Sequence, residues 1–198
     1  MAPLASACCR LLLLLALLPC CSLAADEAAL LLQIKTAWGD PPALAGWNIT
    51  SATGRHRCMW PHVGCNPAGR IVSLRLSGAG LTGHFPDAVG DLSALTHLDV
   101  SNNTISGAFP TALYRCASLR YLDLSRNNLS GELPPDISRR LGPNLTKLFL
   151  SGNQFRGAIP GDLGSLTRLR NLVADQCNLG WLRWLRNAWN PWPRTFLT

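Results

Sequence analysis

A chain of 198 residues has room for one or two domains, and its formal net charge of +7 is only mildly basic. The arginines are dispersed, and no dense Lys/Arg run with interleaved aromatics occurs, which excludes a nucleic-acid-binding stripe. No GxSxG motif, P-loop or paired-carboxylate arrangement stands in a usable context, so nothing points to an enzyme, a catalytic residue, a cofactor or a resident metal.

Residues 1–24 read as a secretory leader. Arg10 is its positive flank, and Leu11 to Leu18 is an apolar run of h-region length, too short to span a bilayer. Ser22-Leu23-Ala24 places small residues at −3 and −1, predicting cleavage after Ala24. Cys8, Cys9, Cys20 and Cys21 leave with the leader. No other stretch reaches the roughly 18 apolar residues of a membrane helix, so the expected product is secreted, with no membrane span after cleavage.

Residues 25–70 are expected to form an N-terminal cap over the rest of the chain. The stretch 25–47 predicts an amphipathic helix and its exit. Asp26 can cap it, Glu27 suits its first turn, and Leu30, Ile34 and Trp38 share a face. Gly39 and Pro41-Pro42 end it. Then comes Cys58-Met59-Trp60-Pro61-His62-Val63-Gly64-Cys65. His56, Cys58, His62 and Cys65 could supply four donors to zinc. Against zinc stand an oxidising export route and the absence of tight CxxC pairs.

From residue 71 one phrase recurs. Ile71 to Pro86 reads IVSLRLSGAGLTGHFP; Leu95 to Pro110, LTHLDVSNNTISGAFP; Leu119 to Pro134, LRYLDLSRNNLSGELP; Leu145 to Pro160, LTKLFLSGNQFRGAIP. A fixed period of this length marks stacked coils, none of which can bury its apolar edge alone. Four full coils are expected at 71–94, 95–118, 119–144 and 145–168, with part of a fifth from Leu169. In each, the leucine pattern predicts a short strand burying two residues on one face, such as Leu98 and Val100. Asn103, Asn127 and Asn153 can satisfy neighbouring backbone. Gly107, Gly131 and Gly157 mark a sharp bend. Val89, Leu113, Ile137 and Leu163 point inward from the returning arc. The third coil is two residues longer, and a loop within Ser138–Pro143 is expected to absorb the excess.

The spacing LxxLxLxxNxLxGxxP resembles the leucine-rich repeat, and its GxxP ending resembles the plant extracellular subtype. Cys58 to Cys65 resembles the CxWxGVxC signature of the N-terminal cap in plant leucine-rich-repeat receptors. Over roughly residues 26–179 the wording is similar to ectodomain starts of receptor-like kinases, with the HAESA-like kind nearest. The resemblance implies an α/β solenoid: a right-handed superhelix with a parallel concave sheet and a helical N-terminal cap. It implies a Cys58–Cys65 disulfide, and ectodomains that bind peptides, hormones or co-receptors. The relatives' kinase and membrane span have no counterpart in this sequence, and their peptide groove extends over repeats that it lacks.

The outward strand positions give the candidate binding face: Arg75; His97 and Asp99; Arg120, Tyr121 and Asp123; Lys147 and Phe149. Mixed cations, aromatics and carboxylates suit a peptide or protein partner, a receptor kinase included. Asn48, Asn102, Asn128 and Asn144 begin N-x-S/T sequons, which can carry glycans in a secreted chain. Cys116 is expected as a buried thiol, and Cys177 stands at the ladder position of the asparagines. The register fails after Leu179, and residues 180–198 form a tail rich in tryptophan. The expected function is a secreted, monomeric recognition module of the apoplast or cell wall, in defence or receptor signalling. The alternatives are an inhibitor of a cell-wall-degrading enzyme, similar to polygalacturonase inhibitors, and a truncated receptor kinase fragment.

Overall fold

A computed structural model describes residues 26–48 and 56–179; the leader with its cleavage point and the tail at 180–198 lie outside them. The first described element is a helix, Glu27–Ala37. Asp26 caps it by accepting the Ala28 N–H at 3.1 Å. Leu30, Leu31, Ile34 and Trp38 are buried along it. Glu27 does more than complement the helix end. It is only 6% exposed. Its carboxylate holds Arg57 at 3.3 Å, Arg70 at 2.8 Å and the Ile71 N–H at 3.1 Å, so one buried anion joins the helix to the first coil.

A hairpin follows. Strand β1 (Val63–Cys65) runs antiparallel to β2 (Ile71–Arg75). Cys58 and Cys65 form a disulfide with Cα atoms 5.6 Å apart, which consumes both sulfurs that a zinc ion would need. Trp47 and Trp60 stack with centroids 6.0 Å apart, and the Trp47 indole donates to the Pro61 carbonyl at 2.8 Å.

The coils stack as their apolar pattern requires. Strands β2, β4 (His97–Asp99), β6 (Tyr121–Asp123), β8 (Lys147–Phe149) and β10 (Asn171–Val173) are parallel, and β1 completes a six-stranded sheet. The register matches like with like: Leu74, Leu98, Leu122, Leu148 and Leu172 face one another across the strands and are buried.

The asparagines sit behind these strands, as the repeat pattern predicts. Asn103 donates to the carbonyls of Leu76, Val100 and Ser101 at 2.8, 2.9 and 3.0 Å, and its oxygen accepts the Leu81 N–H at 2.9 Å. Asn127 and Asn153 repeat the pattern one coil on. At the next rung the Cys177 thiol donates to the Leu150 carbonyl, at 3.2 Å.

Sequence reasoning missed a second sheet. After each ladder residue the chain forms a further short strand: β3 (Thr82–His84), β5 (Thr104–Gly107), β7 (Asn128–Glu132), β9 (Gln154–Gly157) and β11 (Asn178–Leu179). These pair in parallel in the order β11-β9-β7-β5-β3. Their register is sheared. Thr82 pairs with Thr104 rather than with its repeat counterpart Ser106, and Ser106 pairs with Asn128 rather than Ser130. Gly107 ends its strand at φ 103°, and a Cβ there would lie 2.9 Å from the His84 ring.

The returning arcs are 3-10 turns at Asp87–Asp91, Thr111–Arg115 and Gly161–Ser165, with Val89, Leu113 and Leu163 pointing into the core. The third arc corrects the expected loop. Its extra residues form an α-helix, Ile137–Leu141, which buries Ile137, Ser138 and Leu141 and ends at Gly142. The added length therefore goes into helical turn and apolar contact. Cys116 is fully buried, and burial pushes its thiol up to about 11, an inert apolar role.

Candidate functional site

The outer face of the six-stranded sheet brings the predicted residues together because alternation and register leave no other place for them. One column runs Ser73, His97, Tyr121, Lys147 and Asn171 across five strands; its neighbour runs Arg75, Asp99, Asp123, Phe149 and Val173.

Rings occupy the middle. His97 stacks on Tyr121 with centroids 4.1 Å apart and planes 14° from parallel. Tyr121 meets Phe149 at 5.5 Å. The Lys147 ammonium stands 5.8 Å over the Tyr121 ring. His97 is lowered from its usual 6.5, first by burial and then by Arg75, so the imidazole favours its neutral form. Tyr121 is pushed up to about 12 by burial, then by Asp123 and Asp99. The stack therefore presents two uncharged rings at neutral pH.

The charges beside the rings are held rather than cancelled. Asp99 accepts from the backbone and hydroxyl of Ser101 at 3.0 and 2.7 Å. Asp123 accepts likewise from Ser125, at 2.9 and 2.5 Å, and its other oxygen accepts the Tyr121 hydroxyl at 3.3 Å. Among the described residues, Arg75, Arg120 and Lys147 form no salt bridge. Arg120 is exposed at the flank of this face, and its backbone carries the ladder to Thr96 and Thr146.

Of the sequon asparagines, Asn48, Asn102 and Asn128 are exposed. Asn102 adopts φ 55° in the bend after β4. Asn144 is half-buried, donating to the Ala117 carbonyl at 3.3 Å and accepting from Arg168 at 3.0 Å. A cleft of about 630 Å³ lies on the second sheet, lined by Asn153, Arg156, Gln176 and Cys177 among others; none of the predicted binding residues lines it. Among the described residues, no group of three His, Cys, Asp or Glu is placed to hold a metal, and no helix is long and apolar enough to cross a membrane.

The cap and coils match known families. The leucine-rich-repeat N-terminal domain matches residues 24–66, and leucine-rich-repeat families match residues 70–129 and 144–166. The solved complex of BIR3 and SERK2 from Arabidopsis thaliana contains a chain 32% identical to this one, with a TM-score of 0.71, covering 78% of this chain and 84% of that one. The protein belongs to the plant leucine-rich-repeat family. As a leucine-rich-repeat protein it closely resembles the ectodomains of receptor-like kinases. It is 36% identical over 150 residues, 73% of its length, to the LRR receptor-like serine/threonine-protein kinase GSO2 of Arabidopsis thaliana. It is 37% identical over 71 residues, 35% of its length, to polygalacturonase inhibitor 1 of Oryza sativa subsp. japonica. It spans 10% of the former and 20% of the latter.

Proposed function

We propose that this leucine-rich-repeat protein is a secreted extracellular recognition module whose concave sheet binds a peptide or protein partner, in plant defence or receptor signalling. The observation that carries the reading is the ring ladder His97–Tyr121–Phe149 flanked by Arg75 and Lys147, neither in a salt bridge among the described residues. Aromatic side chains aligned on an open sheet supply contact area at small entropic cost. The disulfide of the cap suits an oxidising space outside the cell. Relatives in solved structures support the partner class: one is a complex of two plant proteins, BIR3 and SERK2, and another holds HAESA with a peptide hormone.

The test is capture from plant extracellular fluid by the secreted protein and by a variant carrying H97A, Y121A and F149A. Loss of a defined partner by about tenfold or more in the variant is expected, as for hot-spot rings. An identical captured set from both proteins overturns the reading. The stretch shared with polygalacturonase inhibitor 1 favours a second reading, inhibition of a pectin-degrading enzyme. A polygalacturonase assay separates them: unchanged hydrolysis is expected, and stoichiometric inhibition would replace binding by enzyme inhibition as the function.

A further inference from the structure

Resting on the concave face as binding site, the order of charges along it specifies what kind of peptide fits. From β2 to β10 the second column reads Arg75, Asp99, Asp123, Phe149, Val173: one cation, two anions, two apolar groups. The opposite charges on adjacent strands, Arg75 and Asp99, are in register yet form no salt bridge. Asp99 is held instead by Ser101, and Asp123 by Ser125. Each carboxylate is thereby fixed at its own rung by a partner that leaves its negative charge uncancelled. Counting Lys147 and the flanking Arg120, three cations stand against two anions, so bulk attraction to a polyanion or polycation is weak. Recognition would depend on their order.

The spacing converts that order into a sequence pattern. Neighbouring strands lie about 4.8 Å apart, so the point midway between Asp99 and Asp123 is about 7 Å from Arg75 and about 7 Å from Phe149. An extended peptide rises about 3.3 Å per residue, which brings residues i and i+2 to the same side about 6.6 Å apart. The two repeats coincide. We propose that the face binds an extended peptide, laid across the strands along the stack, with the pattern acidic–x–basic–x–apolar read from β2 toward β8. The acidic residue meets Arg75. A guanidinium or ammonium spans Asp99 and Asp123. The apolar side chain lies on Phe149 and Val173. Tyr121 and His97 wall the basic residue's methylene stem, and Lys147, drawn over the Tyr121 ring, repels any second cation placed one residue further on.

The experiment pans a displayed library of random heptapeptides on the secreted full chain. Capped synthetic peptides of the pattern Glu-x-Arg-x-Leu and of its charge-swapped order Arg-x-Glu-x-Leu are then titrated. Enrichment of the first pattern, and at least tenfold tighter binding of that peptide, are expected. Asp99→Asn with Asp123→Asn keeps acceptors for the two serines while removing the charge; Arg75→Gln leaves the ladder intact. Each should weaken the matched peptide about tenfold with unchanged thermal unfolding. No enriched pattern, a different one, equal binding of the two orders, or indifference to these variants overturns the proposal. If the extracellular partner is still captured through the rings, the charge order fails and the concave binding face stands. If capture fails as well, both fail.

Discussion

The two sheets of this stack are built from the same repeat, yet they carry different work. In the concave sheet Leu98 pairs with Leu122 and Leu122 with Leu148, so equivalent residues form straight columns. In the second sheet each strand slips by two residues against its neighbour, and Ser106 faces Asn128. Straight columns allow His97 and Tyr121 to stack; a sheared sheet sets repeat counterparts two residues out of line. The second sheet mixes short groups, Thr82 and Thr104, with the longer His84, Glu132 and Arg156, where the concave one lines up His, Tyr and Phe across adjacent strands. One sheet stacks its outward residues in columns. The other closes the coil.

Asn127 joins the two sheets, so its loss gives the largest effect expected. N127A removes one of the two amide donors at each of the Val100 and Leu124 carbonyls, which keep Asn103 and Asn153, and takes the acceptor from the Ile105 N–H, at about 2–4 kcal/mol in chemical denaturation. A loss below about 1 kcal/mol would mean that water replaces the side chain and the sheets are independent. G107A comes next. A φ of 103° and the His84 ring both oppose a methyl group, so about 1–3 kcal/mol of stability should go. Retained stability would show that the second sheet tolerates its strand ends relaxing.

C177N works in the opposite direction. An amide restores the rung that the thiol fills with a hydrogen bond to Leu150, and should raise stability by about 1 kcal/mol in urea unfolding. On the concave face, R75Q with K147Q should change stability by less than about 0.5 kcal/mol, as befits exposed groups outside any salt bridge. A larger loss would mean the face is structural after all. The smallest effect concerns pH. His97 in the folded chain holds its proton less tightly than in the unfolded chain, whose value is near 6.5. Stability is therefore full above that value and declines as pH falls through the lower folded one. H97Q should flatten this part of the pH–stability profile.

The concave face was legible in the amino-acid order because its rule is local. Alternation within LxxLxL sets which residues point out, and the repeat period sets which are neighbours. Arg75, Asp99, Asp123 and Phe149 follow from those two facts alone. The second sheet escaped because Thr-Gly-His and Thr-Ile-Ser-Gly carry glycine, which weakens a strand, and are too short to show alternation. Length alone did not distinguish helix from loop at Ile137–Leu141, although Ile137 and Leu141 stand four apart. The clamp on Glu27 was hidden for another reason. Its partners Arg57 and Arg70 lie 30 and 43 residues away, and only the acid's place on an otherwise apolar helix edge hinted at it.

The helix at Ile137–Leu141 has an effect on the opposite side of the molecule. It thickens one coil at the rear, while the strand spacing in front is pinned by hydrogen bonds on both sides of β6 and β8. A wedge of that kind must tilt the blocks on either side toward each other at the front, where Tyr121 and Phe149 meet. Insertions at the rear can thus set the curvature of the front without altering any residue on it.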